Sequence, residues 1–208
     1  MTAVAASVFV VDDDPSVRTS LTRVIESAGY RVEAFSAARD FLKATPAPGP
    51  CCLVLDVRMP GMTGLALQKA LAQAVHRIPV VFVTGHGDVP MTVKAMRAGA
   101  VDVLTKPFAA RDLLDAIQRA VDKDRRDLGK EAHARSIDSR VKTLSPRERQ
   151  VFALVVTGML NKQIAAQLGV VEKTVKVHRA RVMHKMRAGS VAELVRLADE
   201  VGVIVAKT

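Results

Sequence analysis

Five residues stand out for the chemistry their types allow. Asp12 and Asp13 follow a short apolar run, Asp56 ends another, Thr84 follows a third and Lys106 a fourth. Three carboxylates gathered in one place repel one another, so such a cluster holds a cation or shifts its acids toward neutrality. A hard divalent ion suits Asp12, Asp13 and Asp56. Mg2+ fits best, because it takes few carboxylates, keeps several waters and accepts phosphate oxygens. Asp56 is then a nucleophile toward phosphorus, with the ion and Lys106 neutralising the equatorial oxygens and the Thr84 hydroxyl donating to the attached group. Taken singly, each residue has a plainer reading: Asp13 and Asp14 start a helix, and Asp56 is a solvated loop acid. Their occurrence in order at successive strand ends argues against it.

The elements that must position these groups follow from periodicity. Apolar runs predict strands over Ser7–Val11, Arg31–Phe35, Cys52–Asp56, Pro79–Val83 and Val101–Leu104. Helical spacing predicts helices over Pro15–Ala28, Ala37–Ala44, Gly64–Ala74, Val89–Ala98 and Arg111–Val121. Asp14 followed by Pro15 is a helix start, a carboxylate for the free amides and then a ring preset for the first turn. Pro46 to Pro50 is a loop by composition. Five strands alternating with five helices imply a doubly wound parallel sheet of α/β class, covered on both faces. Its ligand site belongs beyond the carboxyl ends of the strands, where the strand order reverses.

The chain has 208 residues and a net charge of +10. Residues 1–121 carry 13 Lys and Arg against 11 acids, whereas residues 142–208 carry 12 against 5. The surplus of cations in the last third marks a candidate polyanion-binding domain. Between them, residues 122–141 are mixed in charge and interrupted by Gly129, and read as a solvated helical linker. The expected domains are therefore 1–121, the linker 122–141, and 142–208. No apolar run approaches the ~18 residues that cross a bilayer, and no basic stretch precedes the first apolar residues, so a reduced cytoplasmic protein without membrane partner is expected. Cys51 and Cys52 are adjacent and read as small buried apolar residues rather than a redox pair.

From Leu144 onward the pattern is all-helical, with capping boxes at Ser145-Pro146-Arg147-Glu148 and Ser190-Val191-Ala192-Glu193. A helical wheel over residues 172–187 places Val175, His178, Val182 and Met186 on a core-facing side. Lys173, Lys176, Val177, Ala180, His184 and Arg187 lie opposite, with Arg181 slightly to one side and Arg179 and Lys185 at the edges. Long cations spaced by small residues suit a helix entering a major groove. His178 reads as a packed residue, and His76, His86, His133 and His184 show no ligand spacing.

Asp12-Asp13, Asp56-Val57-Arg58-Met59-Pro60-Gly61, Thr84-Gly85 and Lys106-Pro107-Phe108 resemble the signature of the response-regulator receiver domain, which has a flavodoxin-like (βα)5 fold. The run from Thr84 to Met91 resembles the FixJ subfamily more narrowly. Asn161-Lys162-Gln163-Ile164-Ala165, Leu168-Gly169-Val170 and Thr174-Val175-Lys176-Val177-His178 resemble the LuxR/NarL-type helix-turn-helix, with 161–168 as scaffold helix and 172–186 as recognition helix. The resemblance implies phosphorylation of Asp56 by a sensor histidine kinase, and Mg2+ held by Asp13 and Asp56, by Asp12 through water, and by the Arg58 carbonyl. It further implies a switch through Thr84 and Lys106, a cis Lys106–Pro107 bond, homodimerisation on phosphorylation, promoter DNA and RNA polymerase as partners, and a regulator, an activator, rather than an enzyme beyond slow self-dephosphorylation. The sequence departs from the pattern twice. Val103 stands where the family usually has Tyr or Phe, and Val171 where a Ser or Thr usually caps the recognition helix.

Two other readings compete. A phosphohydrolase would use Asp56 as a transient nucleophile, yet Arg58 occupies the position two residues on where a general acid is often placed. A DNA-binding protein with a phosphate-inert receiver would bind identically after Asp56→Asn.

Overall fold

The computed structural model describes residues 6–44, 49–73, 78–85 and 89–202. In chain order the elements are β1 (Ser7–Val11), α1 (Pro15–Ser27), β2 (Arg31–Phe35), α2 (Ala38–Lys43), β3 (Cys51–Asp56), α3 (Gly64–Leu71), β4 (Val80–Thr84), α4 (Val89–Arg97) and β5 (Asp102–Thr105). Then come α5 (Ala110–Lys142), α6 (Pro146–Val156), α7 (Asn161–Leu168), α8 (Glu172–Met186) and α9 (Val191–Glu200). Pro46–Pro48, His76, His86 and the middle of the Thr84–Met91 motif lie outside the described residues, as does Ala74, the expected end of the third helix.

All strand pairs are parallel, in the order β2-β1-β3-β4-β5. The order reverses between β1 and β3, and the expected site lies at that switch point. Strand alternation sorts the side chains onto two faces. Phe9, Leu53, Leu55 and Phe82 point to one face with Phe41 of α2, Leu67 of α3 and Ala95 of α4. Val8, Val10, Val54 and Val81 point to the other with Leu21 and Ile25 of α1 and Leu113 and Ile117 of α5. Edge strand β2 is largely exposed and β5 largely half-buried, unlike β3 and β4, which are buried throughout.

Cys51 and Cys52 therefore face opposite sides of the sheet and cannot approach each other. Burial and the neighbouring Asp124 carboxylate push the Cys51 thiol up to about 12, and burial pushes Cys52 up as well. Both stay protonated near neutrality; the Cys51 thiol donates to the Asp124 carboxylate, and Cys52 packs as apolar filler.

The chain divides into two compact units, Met1–Leu128 and Gly129–Thr208. Gly129 does not interrupt the fifth helix, which runs on to Lys142. One helical glycine costs about 1 kcal/mol relative to alanine, and pairs such as Lys123–Asp127 and Asp138–Lys142 on the same helix offset part of that cost.

In the second unit, Phe152 of α6, Ile164 of α7, Val175, Val182 and Met186 of α8 and Leu194 of α9 meet in one core, joined by Ile137 of α5. The Ser145 box is complete: its hydroxyl accepts from the Glu148 amide, and Glu148 accepts from the Ser145 amide at 2.8 Å. The second box is half formed. Ser190 accepts from the Glu193 amide, but the Glu193 carboxylate accepts from Gly189 instead. No described helix is long and apolar enough to cross a membrane.

Candidate functional site

Parallel pairing sends the carboxyl ends of β1, β3, β4 and β5 to one edge, and each delivers a polar residue there. Asp12 follows β1 and is 2 % exposed, Asp56 closes β3 and is 8 % exposed, and Thr84 closes β4 and is 1 % exposed. Lys106 follows β5 and reaches back across the edge. Its ammonium lies 3.0 Å from Asp12 Oδ2 and 3.6 Å from Asp56 Oδ1. The other Asp56 oxygen accepts the Arg58 amide at 2.7 Å. The Lys106 amide donates to the Thr84 carbonyl at 2.8 Å, and the Lys106–Pro107 bond is cis, as the resemblance implies.

The electrostatics of Asp56 follow from this packing. Burial raises its pKa most strongly, with the Asp12 and Asp13 charges adding to the rise. The Arg58 amide and Lys106 oppose the shift without cancelling it. A carboxylate raised in this way is more basic and a better nucleophile, provided a cation screens it as it reacts.

Asp13 is exposed at the rim, outside the ion-paired cluster of Asp12, Asp56 and Lys106. Among the described residues no three acid, histidine or cysteine side chains form a ready-made metal cage. The donors at hand are hard oxygens: two buried carboxylates, a third at the rim, and the main chain at Arg58. That set fits a small hard ion that keeps much of its water, as Mg2+ does.

Two residues that the sequence reading passed over complete the site. Gly64 opens α3 directly against the Asp56 main chain: a Cβ there would lie 2.3 Å from the Asp56 carbonyl oxygen. Arg18 of α1 donates to the carbonyls of Asp12 and Asp13. The available signal for Arg18 was a long cation one turn into the helix that follows an acid run. Val103 packs half-buried against the Phe82 face of the sheet and presents no ring beside Thr84.

In the second unit, α7 and α8 have the bounds expected of scaffold and recognition helices. Lys173, Lys176, Val177, Ala180, Arg181 and His184 are exposed on α8, while Val175, Val182 and Met186 are fully buried. His178 is half-buried among them, with Nδ1 buried and unpaired. Val171 offers no side-chain cap, although Glu172 in the first turn complements the helix dipole.

Two cations at the edges of α8 are turned inward. Arg179 donates to Asn161 Oδ1 at 3.0 Å. Lys185 donates to Glu148 Oε2 at 2.6 Å and to the Thr143 carbonyl at 3.0 Å. The wheel could not foresee this for Lys185, because its partner belongs to another helix.

Comparison with known proteins agrees with both halves. Residues 8–118 match the response regulator receiver domain, and residues 142–198 match the bacterial regulatory proteins of the luxR family. Nodulation protein W of Bradyrhizobium diazoefficiens is 50% identical over 198 residues, covering 95% of this chain and 87% of that one. Transcriptional regulatory protein FixJ of the same organism is 44% identical over 197 residues, covering 95% and 96%. Among solved structures, the response regulator StyR superposes with a TM-score of 0.84 at 45% identity, over 95% of this chain and all 100% of that one. Full-length FixJ from B. japonicum gives 0.57 at 44% identity, over 98% and 100%. The chain therefore belongs to the two-component response regulators that join a receiver domain to a LuxR-family helix-turn-helix domain, and it is a regulator of transcription.

Proposed function

We propose that a sensor histidine kinase phosphorylates this regulator on Asp56 and that the modified protein binds promoter DNA through α8. The observation that carries the proposal is the buried Asp56 carboxylate at the sheet's switch point, with Lys106 Nζ 3.6 Å away and Thr84 at the neighbouring strand end. An Asp56 oxygen attacks phosphorus, the phosphorus–nitrogen bond of the donor phosphohistidine breaks, and an acyl phosphate forms. Asp13, Asp56 and the Arg58 carbonyl would hold Mg2+ directly and Asp12 through water, and the ion would neutralise charge on the transferring group. Lys106 pairs with the new phosphoryl oxygens, the Thr84 hydroxyl donates to them, and this rearrangement reshapes the surface around α4 and β5.

The functional divisions in this reading are a receiver at 1–121, a helical linker at 122–141 and a DNA-binding domain at 142–208. Phosphorylation promotes a homodimer that presents two recognition helices to inverted half-sites and recruits RNA polymerase, so that the protein acts as a cytoplasmic activator. Water attacks the acyl phosphate slowly, which resets the switch without making the protein an enzyme. A decisive switch from 1% to 99% active needs about 5.5 kcal/mol of differential stabilisation.

Intact-mass measurement after incubation with acetyl phosphate and Mg2+ tests the chemistry. Wild type gains one phosphoryl group stoichiometrically and Asp56→Asn gains none. Labelling of Asp56→Asn to the wild-type level, or rapid steady turnover of the donor, contradicts the assignment.

On the DNA side, Lys173, Lys176, Val177, Ala180, Arg181 and His184 form the groove-facing surface, while Arg179 and Lys185 at its edges are engaged by Asn161 and Glu148. Lys176→Ala is expected to weaken specific binding by about 1–3 kcal/mol. Arg181→Ala, which removes an exposed cation to one side of that face, mainly flattens the salt dependence, by about 0.9 for each phosphate no longer neutralised. Fluorescence anisotropy across a salt series reads both effects, and unchanged isotherms would remove α8 from the groove.

A further inference from the structure

We infer that Arg18 is a positioning residue for the acid pair Asp12 and Asp13, and through them for the divalent cation. The inference rests on the phosphoryl-transfer reading above. Arg18 lies one turn into α1, and its Nη1 donates to two consecutive main-chain carbonyls, that of Asp12 at 2.8 Å and that of Asp13 at 2.9 Å. The nitrogen carries two N–H bonds, so each carbonyl has its own donor.

The rest of the loop is fixed from other directions. The Asp12 amide donates to the Phe35 carbonyl at 3.3 Å, the Asp14 amide donates to Asp12 Oδ1 at 2.9 Å, and the Asp14 carboxylate caps α1. Lys106 takes the remaining Asp12 oxygen. The carbonyls held by Arg18 are thus what orients the peptide units on either side of the Asp13 α-carbon. Three consecutive acids repel one another, and nothing within Asp12-Asp13-Asp14 opposes that repulsion at Asp13, whose side chain stands exposed at the rim. A guanidinium that stays charged does oppose it, and its planar fork sets the direction as well as the charge.

Calorimetric titration of the full-length chain with Mg2+ alone tests this. Loss of a group that orients metal ligands typically weakens metal binding by about 10–100-fold, and Arg18→Ala is expected at about tenfold. The Mg2+ concentration for half-maximal phosphorylation should rise by the same factor, with the rate at saturating Mg2+ close to wild type. Arg18→Lys keeps the charge but loses the fork, and should fall between, at about threefold.

A merely structural Arg18 would lower the melting temperature and leave Mg2+ affinity unmoved at temperatures where circular dichroism shows every variant folded. Should Arg18→Ala fail to fold, Arg18→Lys decides alone, its affinity either reduced as stated or unchanged. Wild-type affinity in the folded variants overturns the inference. Absence of Mg2+ binding by the wild-type chain overturns the reading beneath it instead.

Discussion

The Gly64→Ala variant is expected to lose most of its phosphorylation rate and part of its receiver stability, although it adds one methyl group at a helix start. The added Cβ would meet the Asp56 carbonyl oxygen at 2.3 Å, the Asp56 carbonyl carbon at 3.2 Å and the Phe82 ring at 3.0 Å. Two of those atoms are backbone of the phosphoacceptor, and the third belongs to a fully buried ring, so no flexible side chain can give way. The Gly64 amide also donates to the Val57 carbonyl at 3.0 Å, which holds the start of α3 against the end of β3. Either α3 retreats or Asp56 moves. Overpacking of this kind costs about 1–3 kcal/mol, and a misplacement of about 1 Å at a reacting group costs about a hundredfold in rate. Labelling kinetics with acetyl phosphate read the second effect. Gly129→Ala is the control: its Cβ would meet nothing within 4 Å, so it should leave labelling unchanged. Equal rates for Gly64→Ala and wild type would show that the close approach carries no consequence.

The Glu148→Gln variant is expected to loosen the DNA-binding domain and to remove an acid-sensitive step from its unfolding. Glu148 is 3 % exposed, accepts from Lys185 and from the Ser145 amide, and is held down to about 2 chiefly by the Lys185 bond. Its ordinary value is 4.5, so the folded state prefers the ionised form. That preference stabilises the domain fully above pH 4.5 and is lost as pH falls from there toward 2. Glutamine keeps the shape and loses the charge, which removes charge-assisted bonds worth about 1.5–3 kcal/mol. The double variant Glu148→Gln/Lys185→Met should cost less than the sum of the two single changes, because both delete one pair. The only tyrosine, Tyr30, lies in the receiver, so hydrogen exchange at α6 and α8 amides is the measurement that isolates this domain. Unchanged protection at neutral pH, or an acid transition retained in Glu148→Gln, would contradict the role given to the pair.

Much of this architecture was legible in the sequence because it depends on local pattern. β1, β3 and β4 are unbroken apolar runs, and the acids and cation at their ends mark the sheet edge where the cluster forms. The recognition helix was legible because Val175, Val182 and Met186 fall on one face by period alone. What escaped depends on tertiary approach. Nothing near Gly64 announces that the Asp56 carbonyl stands where its side chain would be, and the wheel leaves Lys185 at a groove edge when Glu148, 37 residues away, draws it inward. Gly129 reads as a break only because local propensity omits the ion pairs along α5, such as Lys123–Asp127 and Asp138–Lys142. Asp13 reads as an equal member of the acid cluster, since sequence order says nothing about which of two adjacent acids turns inward.

The most direct test of the whole account is the affinity of the full-length protein for a promoter duplex selected on the acetyl phosphate-treated protein, titrated with and without phosphodonor and Mg2+. Phosphorylation should tighten binding by roughly 5–150-fold, the usual range for coupling between two sites, and Asp56→Asn should show no gain. Equal affinities for treated and untreated wild type, or the same gain in Asp56→Asn, would contradict the claim that chemistry at Asp56 controls how α8 engages DNA.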